Sequence, residues 1–299
     1  MVRVRCGLYT IQKLTSVYLR SIQLTSNMNK REIAKNIKDK IGAWTSHIGN
    51  KQLRDEVRKN VIVSGGCISS MLLDEPVHDY DVYLSDVRTA FKLARYYADL
   101  TGNQHHSLEL VDNGVRFAAP IAPSIIGKTK EKFSVVTNEN MFQPINFSIN
   151  AITLSSGIQV VIRFCGSVEE IHKTFDFVHS KNYYTPDNLV LNADSLEAIL
   201  AKELRYVGSG FPLCALFRVN KFLKRGWKIS PNELLKISYD IGRINFDDPE
   251  FLEEQLSGPY GQAIAYAVET HEGRLTREKF FEFVDTYNPI HPDLYEQLD

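Results

Sequence analysis

The stretch that decides the fold begins with Val-Ile-Val-Ser-Gly-Gly-Cys-Ile-Ser-Ser-Met-Leu-Leu over residues 61–73. Its first four residues form a short apolar run, which predicts a buried strand. Two glycines follow, where the backbone must turn sharply or come close to another group. Residues 67–73 are typical of the first turns of a helix. A strand, a glycine turn and a helix N-terminus together present backbone N–H groups to an anion.

The stretch ends with His-Asp-Tyr-Asp-Val-Tyr-Leu over residues 78–84, after a loop that contains Pro76. In an extended strand, Asp79 and Asp81 point to one face and their neighbours to the other. Two carboxylates on one face repel each other unless a cation lies between them. Mg²⁺ fits this position, because it is bound by one or two carboxylates together with substrate phosphates. The pattern therefore predicts a metal ion beside an anion site.

Both halves resemble the Gly-Gly-x-x-x-Ser and Asp-x-Asp signature of the DNA polymerase β-like nucleotidyltransferase superfamily. The spacing is nearest to the head domain of CCA-adding enzymes and bacterial poly(A) polymerases, which usually carry Arg-Asp where this chain has Ser69-Ser70. The chain is also similar to uncharacterised phage nucleotidyltransferase-like proteins. The resemblance implies an α+β fold, in which a head of mixed sheet and flanking helices is followed by an α-helical domain.

The resemblance also implies a substrate and cofactors: an NTP and two Mg²⁺ ions, with Mn²⁺ as an alternative. Asp79 and Asp81 would hold the metal ions. The triphosphate would lie over Gly65, Gly66, Ser69 and Ser70. An acceptor hydroxyl would attack the α-phosphorus, and pyrophosphate would leave.

Members of this superfamily usually have a third acidic metal ligand on a neighbouring strand, and Asp176 is the candidate. It lies between two phenylalanines in the run 175–178, which predicts a short buried strand. A buried carboxylate is costly without a partner, and a metal shared with the acidic pair would supply one. The alternatives are an ion pair between Asp176 and a lysine or arginine, and Asp112 as the third ligand.

Residues 146–152, Asn-Phe-Ser-Ile-Asn-Ala-Ile, resemble the Asp-Phe-Thr-x-Asn-Ala motif of the CCA-adding head. The resemblance implies that Asn150 contacts the sugar or phosphate of the nucleotide. Asn146 stands where that family has an aspartate, so a metal role does not carry over to it. An ordinary turn or strand end explains Asn150 equally well.

A basic stripe occupies residues 202–228 and contains one acidic residue, Glu203. Its members are Lys202, Arg205, Arg218, Lys221, Lys224, Arg225 and Lys228. Residues 218–222 resemble the Arg-x-x-Arg-Phe element of the CCA and poly(A) polymerase neck. Lys202 and Lys221 are the candidates for contacts to the β- or γ-phosphate, and the stripe is a candidate surface for tRNA or other RNA. A solvated helix face is the plainer interpretation.

The organisation of the chain predicts three parts: an extension over residues 1–27, a catalytic domain over 28–190 and an α-helical domain over 191–299. Capping boxes begin at Ser167 and Asp194, and Asp86 is a candidate N-cap. Helices are predicted at Leu196–Tyr206, Leu213–Arg225 and Pro231–Ile241, with further ones after residue 250. The turn Asp-Asn-Gly at residues 112–114 predicts a hairpin.

Charge and cysteine content indicate the cellular compartment and the kinds of binding partner. The net charge of −1 gives no overall attraction to nucleic acid, but residues 240–299 carry 14 acidic against four basic side chains and could bind a protein partner. Four scattered cysteines predict neither zinc nor disulfides, which favours the cytoplasm. The resemblance to bacterial and phage proteins implies a bacterial or phage-infected cell. No apolar run is long enough to span a membrane. Residues 1–30 lack Asp and Glu, as transit peptides do, although a start assigned too early, before Met28, or an extra helix is favoured.

Several functions remain open from the sequence. The first is nucleotidyl transfer from an NTP to the 3′ end of tRNA or another RNA. The acceptor could instead be a small molecule or a protein hydroxyl, as in toxin-like relatives. A different class is a non-catalytic nucleotide-binding or antitoxin-like module. The intact pair Asp79 and Asp81 favours an enzyme over such a module.

Overall fold

The computed structural model describes residues 29–101, 108–117, 142–148, 150–248 and 276–278. The predicted extension 1–27 and most of the acidic C-terminal segment lie outside the described residues. Within these ranges, no helix combines the length and the apolar character that crossing a bilayer requires.

The α-helices of the described part are numbered here in chain order. They are α1 (Lys30–Ser46), α2 (Lys51–Asn60), α3 (Gly66–Leu72), α4 (Val87–Leu100), α5 (Val168–His172), α6 (Ala193–Leu200), α7 (Pro212–Lys224) and α8 (Pro231–Ile241). A 3₁₀-helix spans Val178–Ser180.

Most of the strands belong to one sheet. Its members in chain order are β1 (Val61–Ser64), β2 (Tyr80–Leu84), β5 (Pro144–Phe147), β6 (Ala151–Leu154), β7 (Ile158–Cys165), β8 (Tyr183–Tyr184) and β9 (Leu189–Val190). Two strand pairs stand apart: β3 (Leu108–Val111) with β4 (Gly114–Phe117), and β10 (Glu203–Leu204) with β11 (Lys228–Ile229).

The spatial order of the main sheet is β5-β6-β7-β2-β1-β8-β9. Strands β2 and β7 run parallel, and the other neighbours run antiparallel. The sheet is therefore mixed, and the predicted α+β class is confirmed.

Local capping signals explain several helix starts. Asp86 accepts a hydrogen bond from the Thr89 N–H at 2.9 Å and thereby begins α4. Ser167 and Glu170 form the predicted capping box of α5. At α1, Asn29 forms an equivalent box with the helix's third residue. Such caps satisfy N–H groups that have no partner within the helix.

Three predictions about the second half of the chain are wrong. The helix predicted at Leu196–Tyr206 ends at Leu200, because Lys202 has a left-handed backbone (φ 45°) that breaks the helix. That helix also begins at Ala193, after the N-cap Asn192, and not at a box on Asp194. The strand predicted over residues 175–178 is only an isolated bridge at Phe177, followed by the 3₁₀-helix.

The two faces of the main sheet differ, because successive side chains of a strand alternate between them. Val63, Val82 and Val160 lie in the main core with the large helices. Ile62 and Tyr83 lie in a smaller cluster on the other face, beside α5 and Phe175. Asp81 follows the alternation of Tyr83, so it belongs to this second face, which we call the site face.

The main core continues from the sheet into the C-terminal helices. Leu196 of α6, Val219 of α7 and Ile237 of α8 belong to the same buried cluster as the strands. Apolar packing therefore crosses the predicted domain boundary at residues 190 and 191, and a division into two domains stays a prediction.

Candidate functional site

The glycine turn after β1 has the sharp bend that the sequence predicts. Gly65 has φ +94°, a backbone conformation that L-residues rarely adopt. The antiparallel register of β1 and β2 places Ser64 opposite Asp81. A β-carbon on Gly65 would lie 2.5 Å from Asp81 Oδ2, closer than real β-carbons come to other atoms. Glycine is thus required here both by the backbone and by the carboxylate beside it.

Gly66 differs from its neighbour. Its φ is not in the left-handed range, and a β-carbon there would meet no atom within 4 Å. Neither backbone strain nor packing explains this glycine. The space above the first turn of α3 is open, so a bound group could come close to the backbone.

The acidic pair lies at the open end of this turn. Asp79 directly precedes β2, and its α-carbon is close to the Gly157 turn. Burial raises the pKa of Asp81 to about 8, and the negative charge of Asp79 adds to this rise. The same two carboxylates add to the rise in the pKa of the buried Cys67 thiol in α3, which burial mainly causes. The pair therefore gathers negative charge at the start of the helix.

The donor set of Asp79 and Asp81 fits a divalent cation. Two adjacent carboxylates that repel each other are stabilised by Mg²⁺ or Mn²⁺, which prefer oxygen ligands. The open position at Gly66 leaves room for phosphates that would complete the coordination. Among the described residues, however, no group of three or more His, Cys, Asp or Glu side chains is arranged to hold a metal ion.

Gln159 occupies the neighbouring position on the next strand. The parallel register of β2 and β7 pairs Asp81 with Gln159, so their side chains share the site face. An amide oxygen can bind a hard cation but adds no negative charge. Sequence analysis missed this residue. Side chains alternate between the two faces of β7, so Gln159 lies on the opposite face from the buried Ile158. No local sequence pattern, however, predicts that β7 pairs with β2.

Asp176 is not gathered with the acidic pair. Its side chain is only 3% exposed and forms a salt bridge with Arg218. Its other oxygen accepts a hydrogen bond from the Ser209 hydroxyl at 2.6 Å. A metal role for Asp176 stays a prediction, and it would require this ion pair to open.

The two serines of α3 have different partners. The buried Ser69 hydroxyl donates to the carbonyl oxygen of His179 at 2.9 Å and so fixes the helix to the 3₁₀ segment. Ser70 Oγ lies 3.5 Å from Arg225 Nη2. Contacts of either serine with a triphosphate stay predictions. Of the two hydroxyl groups, that of Ser70 lies beside a positively charged side chain, Arg225.

Glu75, in the loop before β2, binds two members of the basic stripe. It accepts from Lys202 Nζ at 3.0 Å and from Arg225 Nη2 at 2.5 Å. Lys202 is thus engaged by a carboxylate and does not lie on a helix. Its predicted contact with the β- or γ-phosphate stays a prediction, in which the ammonium would bind both Glu75 and the phosphate.

The stripe as a whole is largely compensated. Arg205 forms salt bridges with Glu197 and Glu203, and Arg218 forms one with Asp176. Together with the two bonds to Glu75, at least four of the seven basic side chains have acidic partners. Ion pairing therefore reduces the positive charge of the surface that the sequence predicts to bind RNA.

Helix α7 brings positive charge to the acidic pair. Arg218 and Lys221 lie three residues apart on this helix, as predicted. Burial raises the pKa of Asp81, and the charges of Arg218 and Lys221 oppose that rise. Both side chains are therefore close enough to Asp81 to act on its charge. Lys221 is a predicted phosphate contact, whereas the sequence predicts no such role for Arg218.

Asn150 lies far from the acidic pair. Its carbonyl oxygen accepts hydrogen bonds from the N–H groups of Ile162 at 2.9 Å and Arg163 at 3.1 Å. Asp81 pairs with Gln159, three positions before Ile162, which is about 10 Å along the sheet. β6, which follows Asn150, is two strands away from β2, about 10 Å across the sheet. A nucleotide contact by Asn150 stays a prediction that the register does not favour.

The glycine turn and the acidic strand beside it, on which the resemblance to nucleotidyltransferases rests, lie next to each other in one mixed sheet. A family profile described as "Gad2: Gabija anti-defense 2 family protein" matches residues 35–202. This is more than half of the 299 residues, and the chain belongs to that family. The matched region contains the glycine turn and the acidic pair and ends before α7.

The solved structures that are similar to this chain include CCA-adding enzymes. One is the Thermotoga maritima enzyme complexed with tRNA, with 12% identity, a TM-score of 0.37, and coverage of 76% of this chain and 53% of that one. Another is the Bacillus stearothermophilus enzyme in complex with CTP, with 14% identity, a TM-score of 0.38, and coverage of 75% and 50%.

This chain spans about half the length of those enzymes. A likeness of this degree says nothing about activity. A search of curated protein sequences finds no match to the chain.

Proposed function

We propose that this protein is a Mg²⁺-dependent nucleotidyltransferase, which moves a nucleoside monophosphate from an NTP to an acceptor hydroxyl. We also propose that this activity serves the role against Gabija defence that the family description names. The observation that carries the proposal is the close approach of Asp81 to Gly65, which joins a carboxylate pair to an open backbone turn. A nucleotide with its metal ion needs both of these features in one place.

The protein's own groups have separate tasks in this proposal. Asp79 and Asp81 would hold the divalent cations. The backbone at Gly66 leaves room for the phosphates, and Lys221 adds positive charge beside them. When bound, the cations neutralise phosphate charge and lower the pKa of the attacking hydroxyl. The protein positions the reactants and arranges charge before the reaction begins.

For the acceptor, we propose a class of molecule and not a particular compound. An RNA 3′ end, tRNA included, is the first candidate, because of the motifs shared with CCA-adding enzymes. The ion pairs of the basic stripe argue for a smaller or weaker RNA contact than the charge count predicts. A small molecule is an alternative. A protein hydroxyl is another, and the family description makes a component of the Gabija system the natural protein to test.

A second candidate function is nucleotide binding without turnover. Gln159 favours it, because an uncharged amide stands beside Asp81 on the adjacent strand. The engagement of Asp176 by Arg218 favours it as well. Two carboxylates can bind a metal–nucleotide complex, whereas activating a hydroxyl benefits from a third negative ligand.

The experiment uses each NTP labelled at the α-phosphate. The full chain is incubated with label, Mg²⁺ and separate pools of tRNA, total RNA, small-molecule extract and Gabija proteins. We expect label in one pool with wild-type protein, and none with a D79N/D81N variant or with EDTA. Binding of NTP without label transfer would select the second candidate. Absence of both binding and transfer would contradict both.

A further inference from the structure

The side chain of Asp176 is the centre of a buried polar network that the proposed reaction does not use. One carboxylate oxygen accepts from Ser209 Oγ at 2.6 Å, and the other accepts from Arg218. Ser209 Oγ in turn accepts from the Phe211 N–H at 2.8 Å, at the start of α7. A buried carboxylate is stable only when its oxygens are bonded, and here both are. The network therefore fixes the beginning of α7 and Arg218 to one point.

Arg218 is held at one end but is open to water. Its side chain is 46% exposed, although its partner Asp176 is almost fully buried. A guanidinium is planar and has several N–H donors, so it can bind a carboxylate along one edge and a phosphate along another. A salt bridge to a buried aspartate restricts its rotamers before any ligand arrives, which lowers the entropy cost of binding.

The position of α7 directs Arg218 to the site face. The rings of Phe211, at the start of α7, and Phe164, in the small cluster of that face, are 6.1 Å apart between centroids. Phe175, which directly precedes Asp176, packs its ring 5.8 Å from the ring of Tyr83, two positions after Asp81 on the same face of β2. A polyphosphate bound through a cation to the acidic pair would therefore lie on the same face of the sheet as Arg218.

We infer that Arg218 is a phosphate-binding residue of the nucleotide site, and that Asp176 is the positioning residue that holds its guanidinium. This inference rests on the proposed function, because it assumes that a metal-bound triphosphate occupies the acidic end of the sheet. It assigns Asp176 to the orientation of an arginine, whereas the sequence predicts a metal ligand at this position.

The test is a double-mutant cycle on the binding of Mg²⁺–ATP and the other Mg²⁺–NTPs, measured by calorimetry with the full chain. Losing a charge-assisted hydrogen bond weakens binding by roughly 10- to 100-fold, which is the result expected for R218Q. R218K should recover only part of the affinity, because an ammonium lacks the planar donor pair. K92Q, a charge change on α4 outside the stripe, is the control and should bind as the wild type does.

Asp176→Asn separates positioning from metal binding. We expect D176N to weaken binding less than R218Q does, and to have no further effect when R218Q is already present. R218Q leaves the buried Asp176 without its cation, so the double variant, which removes both charges, carries the test if either single variant folds poorly.

Wild-type affinity in R218Q would overturn the inference and leave the proposed function standing. Loss of Mg²⁺-dependence in D176N but not in R218Q would return Asp176 to a metal role and also overturn it. Failure of the wild type to bind any NTP would contradict the proposed function itself.

Discussion

Gly65 and Asp81 are in such close contact that a β-carbon on Gly65 would lie 2.5 Å from Asp81 Oδ2. The contact joins the two halves of the sequence motif, because it places the glycine turn of one strand against the carboxylate of the next. It depends on the register that pairs Ser64 with Asp81. Substitutions at Gly65 and Asp81 should therefore change both the stability of the fold and the binding of a nucleotide.

The two glycines of the turn should respond differently to alanine. Gly65→Ala should lower the free energy of unfolding by about 1–3 kcal/mol, because φ +94° is strained for alanine and Asp81 must also move. Gly66→Ala should leave the stability near the wild-type value, since its β-carbon meets no atom within 4 Å. It should nevertheless weaken NTP binding by filling the open space.

Denaturant unfolding and NTP calorimetry on the two variants check this prediction. Equal stability of G65A and G66A would contradict the geometry of the turn. Normal NTP binding by a folded G66A would contradict the use of the open space.

Asp81→Asn should uncouple stability from binding. Removing the carboxylate relieves its repulsion with Asp79 and the cost of partial burial, so we expect the metal-free protein to keep or gain stability. The variant should lose the increase in melting temperature that Mg²⁺ and NTP together give the wild type. Thermal unfolding with EDTA, and then with Mg²⁺–NTP, measures both effects. A strong loss of stability in EDTA would mean that Asp81 has a structural role.

Glu75→Gln should increase the affinity for polyanions. Glu75 bonds both Lys202 and Arg225, and its neutralisation releases these two cations. We expect tighter tRNA binding and a steeper dependence on salt, by about one ion for each new phosphate contact. Filter binding over a range of KCl concentrations measures the slope. Glu56→Gln is the control, because Glu56 pairs with Lys92 outside the stripe, and equal effects of both variants would refute the assignment.

His179 should make stability depend on pH below neutrality. It is buried against Phe222 and Trp227, and burial, followed by the charge of Arg225, lowers its pKa to about 3. Its pKa in the unfolded chain is about 6.5, so below that pH the unfolded state binds a proton that the folded state excludes. Stability should therefore fall as the pH drops from about 6.5 towards 3, by up to about 1.4 kcal/mol per pH unit.

Unfolding of the wild type and of H179Q between pH 7 and pH 5 would measure this slope. We expect a smaller slope for H179Q. Some dependence of stability on pH should remain in H179Q because of His172, whose pKa is lowered by burial to about 4. Identical slopes in the two proteins would contradict the prediction.

Local sequence signals predicted the elements that local interactions determine. The β1 strand, the turn at Gly65 and the helix that follows it all form as predicted. The hairpin at residues 112–114 is confirmed, and so is helix α8, which has the predicted bounds Pro231–Ile241. In each case the decisive residues are neighbours in sequence.

Long-range partners could not be predicted in the same way. Asp176 and Arg218 are separated by 42 residues, and a buried aspartate can pair equally well with a metal ion or an arginine. Gln159 joins the site only because β7 pairs with β2 in parallel. The periodicity of residues 196–206 predicts one helix, but Lys202 has a left-handed backbone, binds Glu75 through its ammonium and accepts a hydrogen bond from the Lys228 N–H at 2.8 Å. These contacts join residues that are distant in sequence, so the local pattern does not predict them.

The most direct test of the central claim is calorimetric titration of each NTP into the wild type and D79N/D81N, with Mg²⁺ and then with EDTA. The account predicts that the wild type binds at least one NTP only when Mg²⁺ is present, and that the double variant binds none although it remains folded. Binding of NTP that is equal in both proteins, or unaffected by EDTA, would contradict a metal–nucleotide site at the acidic pair.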